Sequence, residues 1–108
     1  MGDAGKPGSK KQRRSSRREL ALPIRVFGTT AKGRDFAEDC VCVKVSRYGA
    51  QIRLTHTVIN DEEVRILNLR NKKEAGFRVV SQVSNPPDKP YADWGVEALE
   101  PDEDFWGV

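Results

Sequence analysis

The chain has 108 residues, which is enough for one domain with a small core and too few for two. Charged side chains make up 32% of it, and no apolar run approaches the length of a membrane span, so we expect a well-solvated protein that does not cross a membrane. The first residues lack the apolar segment of a secretory signal, and the expected compartment is therefore the cytoplasm.

The net charge of +3 is unevenly distributed along the chain. Residues 1–18 carry seven basic side chains against Asp3, whereas the remaining 90 residues carry twelve basic and fifteen acidic ones. A basic arm therefore precedes an acidic body. This asymmetry indicates an anionic partner for the arm, such as a phosphate ligand, a nucleic acid or a membrane surface, with a solvated tail as the alternative.

The alternation of apolar and polar residues along the chain predicts an all-β fold. Residues 1–12 are rich in Gly, Lys and Ser and predict a disordered basic tail, and residues 13–108 form the expected domain. From Leu20 onward, apolar and polar side chains alternate. The alternating stretches predict six strands, at about residues 20–27, 36–46, 50–54, 64–69, 75–83 and 94–98. With turn signals between them, they predict an antiparallel barrel or sandwich.

The C-terminus predicts a short helical turn. Pro101 is followed by three acidic residues, a pattern typical of the first turn of a helix. We expect this turn to fold Phe105 and Trp106 back onto the barrel.

The second strand carries three alternating valines, Val41, Val43 and Val45, which predict its buried face. Lys44 and Ser46 would then lie together on the exposed face. Cys40 and Cys42 are separated by one residue, a spacing at which two strand side chains lie about 7 Å apart, so we expect two reduced thiols and no disulfide.

The sequence offers little material for catalysis. It has one histidine, His56, and it lacks a metal-ligand cluster, a nucleophile–histidine–acid spacing and a glycine-rich phosphate loop. We therefore expect a protein that is not an enzyme and has no catalytic residue, bound metal or resident cofactor.

The arm directly before the first strand contains Arg13, Arg14, Arg17 and Arg18. Lysine would supply charge alone. Arginine adds a planar fork that matches phosphate oxygens or the O6/N7 edge of guanine, and a flat face that stacks on a base. A phosphodiester that contains guanine uses all of these properties.

Two motifs together resemble the bacterial PilZ family. Arg13 and Arg17 form an Arg-x-x-x-Arg motif before the first strand, and Ser46 and Gly49 form a Ser-x-x-Gly motif at the end of the second. Three segments are also similar to the family's first strand, central turn and closing strand: residues 20–26, 46–52 and 94–99. The resemblance covers about residues 13–106.

The resemblance implies a six-stranded antiparallel β-barrel, Greek-key-like, that binds the second messenger cyclic diguanylate as a monomer or as a stacked dimer. It implies a role in bacterial second-messenger signalling, with the arm closing over the ligand and a downstream protein partner reading the change. The implied ligand-binding residues are Arg13, Arg14, Arg17, Lys44, Ser46, Arg47 and Gly49.

Lys44 departs from the family pattern, which has Asp or Asn at this position to accept hydrogen bonds from guanine. Lysine is a donor only. Loss of that acceptor would cost about 1–3 kcal/mol, unless Lys44 contacts a phosphate or the guanine O6 instead. One alternative is therefore a PilZ adaptor that binds no nucleotide and acts through protein contacts. Another is a barrel that binds single-stranded nucleic acid, which the acidic body and the 7% aromatic content disfavour.

Overall fold

The computed structural model describes residues 18–107, with side chains from residue 20 onward. Six β-strands account for most of this part of the chain. They are β1 (Arg18–Thr29), β2 (Asp35–Val45), β3 (Gly49–Leu54), β4 (Glu63–Asn68), β5 (Glu74–Ser84) and β6 (Ala92–Ala98). Each predicted strand is present, and β1 and β6 each begin two residues earlier than the alternation indicates. The predicted tail at residues 1–12 lies outside the described residues, so the domain boundary stays a prediction.

The strands close into an antiparallel barrel in the order β1-β2-β3-β6-β5-β4. Because β4 returns to pair with β1, the strands β4-β1-β2-β3 form a Greek key. The all-β fold class and the six-stranded antiparallel barrel are thus confirmed. Antiparallel closure gives each of the six strands a pairing partner on both sides.

The core lies inside the barrel and contains mainly aliphatic side chains from all six strands. Fully buried examples are Ile24, Ile52, Leu54, Ile66 and Val79. At about 25 cal/mol for each Å² of apolar surface removed from water, these side chains supply most of the stabilisation of a domain of this size.

The C-terminal segment packs on the barrel as predicted, but without a helix. Phe105 and Trp106 are buried, and their rings lie 5.5 and 5.7 Å from the ring of Phe77. A single turn precedes them, in which the N–H of Phe105 donates to the carbonyl of Asp102 over 3.1 Å. Asn68, which is fully buried, donates its side-chain amide to the carbonyls of Phe105 and Trp106. The predicted C-terminal turn is thus present as a single hydrogen-bonded turn, without a helix.

The predicted valine face of β2 is wrong for most of its length. Cys42 is fully buried, while Val41 and Val43 are only half-buried. A β-bulge at Val43 separates the pairs Cys42–Ile52 and Lys44–Gln51, so that one extra residue of β2 shifts the alternation. Val45 consequently points inward and Lys44 outward, as predicted, but the preceding core residue of β2 is Cys42 rather than Val43.

Both cysteines are free thiols, as expected. Burial raises the pKa of Cys42 to about 12, and the same cause raises the pKa of Cys40 to about 12.

Candidate ligand-binding groove

An open groove of about 330 Å³ runs across the outer face of the barrel over β2, β3, β6 and β5. Its axis follows one row of register partners: Lys44 pairs with Gln51, Gln51 with Gly95, and Gly95 with Ser81. Residues directly opposite each other in antiparallel strands share a face of the sheet, so this row presents its side chains together. Its volume falls at the lower end of the range of about 300–1,000 Å³ that is usual for small-molecule sites.

Gly95 forms the floor of the groove. A Cβ atom at Gly95 would lie 3.5 Å from the nearest heavy atom, a Cγ of Val83, which is an ordinary van der Waals contact. Packing within the barrel therefore tolerates a side chain here. Its absence leaves the groove open between Gln51 and Ser81.

Two exposed valines on β5 form an apolar wall. Val80 and Val83 are 45% and 52% exposed, and each is the extra residue of a β-bulge in the β5–β6 pairing. A bulge changes which way the next side chains point, and two within four residues turn both valines outward onto the groove. Their surface can pack against the flat face of a base.

The Ser46–Gly49 turn closes the end of the groove beside Lys44. The N–H and the hydroxyl of Ser46 both donate to the carbonyl of Gly49, over 3.0 and 3.4 Å. Lys44, Ser46 and Gly49 all line the groove, so the fold brings these three predicted site residues together.

Gly49 is required by the barrel itself. A Cβ there would lie 2.2 Å from the carbonyl oxygen of Val96 on β6 and 3.3 Å from the Cα of Glu97. The φ angle of Gly49 is not in the left-handed region, which in the described residues includes only Gly33 and Gly107 among glycines. Close approach of the β6 backbone therefore explains this glycine, and a left-handed backbone conformation does not.

Arg47 projects away from the groove. Its guanidinium lies 3.5 Å from the carboxylate of Glu103 and 5.6 Å from the centre of the Tyr48 ring. All three side chains are exposed, so these contacts contribute little to stability. Arg47 is thus the one predicted site residue in the described part of the chain that does not line the groove.

Sequence reasoning missed a polar network beside the groove. Asp93 on β6 is only 5% exposed, and it accepts two hydrogen bonds from Arg53, over 2.8 and 3.1 Å. The hydrogen bonds that Arg53 donates to Asp93 raise the pKa of Arg53. Gln51 donates its side-chain amide to Asp93 over 3.2 Å, and the ring of Tyr91 lies 4.4 Å from the Arg53 guanidinium. Gln51 and Arg53 alternate with apolar residues in the predicted third strand, which indicates that they face outward. Nothing in the sequence indicates that Asp93, about 40 residues further along the chain, is their partner.

Arg13, Arg14 and Arg17 lie outside the described residues. The position at which the chain enters the barrel is described, however: Arg18 pairs with Val45 and Glu19 with Lys44. The arm is thus attached covalently at the end of the groove that contains Lys44 and Ser46.

A second, shallower depression of about 520 Å³ lies at the β1–β2 hairpin, near Thr30, Lys32 and His56. Here Glu38 accepts hydrogen bonds from the His56 ring over 2.6 Å and from the backbone N–H groups of Thr55 and His56. Burial opposes ionisation of Glu38, but these bonds outweigh it and hold its pKa below the usual range. Three of its four carboxylate contacts fix the local backbone, which gives this network a structural role.

The part of the chain that the structure describes brings no three metal-ligating side chains together. Nor do residues 18–107 contain a helix with the length and apolar character needed to cross a membrane. The groove, with an apolar wall, a glycine floor and polar groups at one end, has the features of a binding site for a flat, polar ligand.

No family model matches the sequence, and no match was found among curated proteins. Among solved structures, the chain is similar to the Bacillus subtilis inhibitor of motility (MotI/DgrA), with a TM-score of 0.60 and 13% sequence identity. The similarity covers 85% of this chain and 44% of that one, so the chain spans less than half of that protein's length. At this identity the likeness shows a shared fold, and it supports the PilZ-like barrel that the sequence predicts.

Proposed function

We propose that this chain is a receptor or adaptor domain that binds cyclic diguanylate in the groove, with the N-terminal arginines closing over the ligand. The observation that carries this proposal is the point of attachment of the arm. Because Arg18 pairs with Val45, Arg17 is the residue that precedes the strand end next to Ser46. The segment that carries the first motif therefore joins the barrel beside the Ser46–Gly49 motif, some 30 residues further along the sequence, at one end of the groove.

The reach of the arm matches the width of the groove. Arg13 is five residues before Arg18, so an extended chain spans at most about 18 Å between them. From β1, where the arm is attached, to Ser81 on β5 there are four inter-strand spacings, or about 19 Å. With its side chain added, Arg13 can therefore reach the far end of the row, whereas Arg14 and Arg17 can reach positions nearer to Lys44.

The groove chemistry supports a cyclic dinucleotide. Val80 and Val83 offer an apolar surface for a purine face, and Lys44 offers a cation for a phosphate. The arm would add guanidinium groups, which pair with phosphate oxygens or with the O6/N7 edge of guanine. Ligand binding would order the arm against the barrel, and the new surface would be read by a protein partner in bacterial second-messenger signalling in the cytoplasm. This role is one of binding, without a reaction.

Calorimetric titration with cyclic diguanylate at physiological salt tests the proposal. The wild-type chain should release or absorb heat at tens of micromolar protein. Arg17→Ala should abolish the signal, because it removes a charge-assisted contact to the ligand. Arg70→Ala is the matched control, since Arg70 is exposed and does not line the groove, and it should bind like the wild type. A folded wild-type sample without heat would overturn the proposal.

A PilZ adaptor that binds no nucleotide is the second candidate, and two observations favour it. Lys44 replaces the acceptor of the family pattern. Gly49 and Ser46 both have roles inside the barrel, since Gly49 admits the Val96 carbonyl and Ser46 closes the turn. For this candidate, the same titration would show no heat while the melting transition of the protein stays cooperative.

A further inference from the structure

A groove that selects guanine needs a hydrogen-bond acceptor opposite the guanine N1 and N2 donors. A donor edge that loses water without gaining an acceptor weakens binding strongly. Lys44 cannot serve, because an ammonium group has donors only. The hydroxyl of Ser46 donates its proton to the carbonyl of Gly49, so its oxygen can still accept but is tied to the turn. Because the base edge presents both an N1 and an N2 donor, a further acceptor is needed from another residue of the groove.

Gln51 is the register partner of Lys44 on the neighbouring strand and lines the same groove. Its side-chain NH2 donates to Asp93 over 3.2 Å. An amide carries its donor and its acceptor on opposite arms of one planar group. Because the carboxylate of Asp93 accepts only, the NH2 arm must face it, and this fixes the orientation of the amide on chemical grounds. The carbonyl arm, Oε1, then points away from Asp93.

Asp93 is itself held in place. It is 5% exposed and accepts both hydrogen bonds of the Arg53 fork, a bidentate geometry that fixes position as well as charge. Tyr91 covers the Arg53 guanidinium at 4.4 Å. A side chain that is already fixed loses little freedom when a ligand binds, so Gln51 is preorganised.

We propose that Gln51 is the guanine-selecting residue of this groove, with its Oε1 accepting from the N1 and N2 donors of the base and Asp93 acting as the positioning residue. The inference rests on the proposed function. It reassigns the acceptor role from the second strand to the third, and it leaves Lys44 beside Gln51 to contact a phosphate.

The test compares two ligands on two proteins by calorimetry. Cyclic diguanylate and cyclic di-inosine monophosphate differ only in the N2 amino group of each base. Wild type should bind the guanine ligand more tightly. Gln51→Ala should weaken the binding of cyclic diguanylate about 5-fold or more and should narrow the preference for guanine over hypoxanthine. Gln82→Ala is the matched control, because Gln82 is exposed and does not line the groove, and it should leave both affinities unchanged.

A second variant tests the positioning residue. Asp93→Asn lets the side-chain amide of Gln51 adopt either orientation. The ratio of the affinities for the guanine and hypoxanthine ligands should therefore fall, while contacts to the phosphates persist. A thermal melt identifies any loss of folding. Binding by the wild type together with an unchanged affinity and guanine preference in Gln51→Ala would overturn this inference alone. Absence of binding by the wild type would overturn the proposed function and this inference together.

Discussion

The substitution Gly49→Ala tests whether Gly49 is required for the packing of the barrel or only for ligand binding. In Gly49→Ala, the new Cβ would lie 2.2 Å from the carbonyl oxygen of Val96, whereas real Cβ contacts are essentially never shorter than 3.0 Å. The β3 and β6 backbones must therefore separate by roughly 0.8 Å at this point. The neighbouring hydrogen bond from the N–H of Ala98 to the carbonyl of Tyr48, now 2.7 Å, would lengthen to the limit of useful geometry.

The expected cost follows from these contacts. Overpacking costs about 1–3 kcal/mol, and one weakened hydrogen bond adds about 1 kcal/mol. Restriction of the unfolded chain by alanine returns about 0.4–1 kcal/mol. The free energy of unfolding should thus fall by about 1–3 kcal/mol, which lowers the Tm of a domain of this size by at least about 4 °C.

The assay is thermal and urea unfolding without ligand, followed by circular dichroism, with Gly95→Ala as the control. Gly95 lines the same groove, but its Cβ would meet nothing closer than 3.5 Å, so its free energy of unfolding should not fall and should rise by up to about 1 kcal/mol through restriction of the unfolded chain. Equal stability of Gly49→Ala and Gly95→Ala would refute the close approach of β6 as the reason for this glycine.

Three further predictions concern the barrel. Asn68→Ala should lower the free energy of unfolding in urea by about 1–3 kcal/mol, because it leaves the carbonyls of the C-terminal turn without their buried donor. Cys40 and Cys42 should resist maleimide at pH 8 in the folded protein and react promptly in denaturant, since burial raises the pKa of both thiols to about 12; prompt labelling of the folded chain would contradict this. The pKa of Glu38 is lowered on folding, so its contribution to stability is present above about pH 4.5 and is lost as the pH falls further. In Glu38→Gln, the urea midpoint should therefore decrease less than in the wild type as the pH falls below about 4.5.

The fold was predictable from the sequence because alternation of apolar side chains is a local signal. Most strands show it within five to eight residues, and six such strands with turns between them predict an antiparallel barrel or sandwich. The resemblance to the PilZ family then implies the barrel. The local signal failed in β2, where the bulge at Val43 makes Cys42 rather than Val43 point inward. A bulge depends on the pairing of two strands, and the sequence of one strand does not reveal it.

The site was predictable only in part, and for a similar reason. Lys44, Ser46 and Gly49 belong to one short segment, and the fold keeps them together in the groove. Gln51 and Asp93 were missed, because their hydrogen bond joins residues 42 positions apart in the chain. The apolar wall was also missed, since alternation places Val83 on the same face as the buried Val79, whereas two bulges in β5 turn Val83 outward.

The most direct test of the central claim is an NMR titration of the 15N-labelled chain with cyclic diguanylate, because it reports where a ligand binds. The backbone amide signals of Ser46, Gly49, Gln51 and Gly95 should shift in a saturable way, as these residues line the groove. The signal of His56, at the β1–β2 hairpin depression, provides the internal control and should stay in place. Saturable shifts at the hairpin with an unperturbed groove, or no shifts at all, would contradict the account.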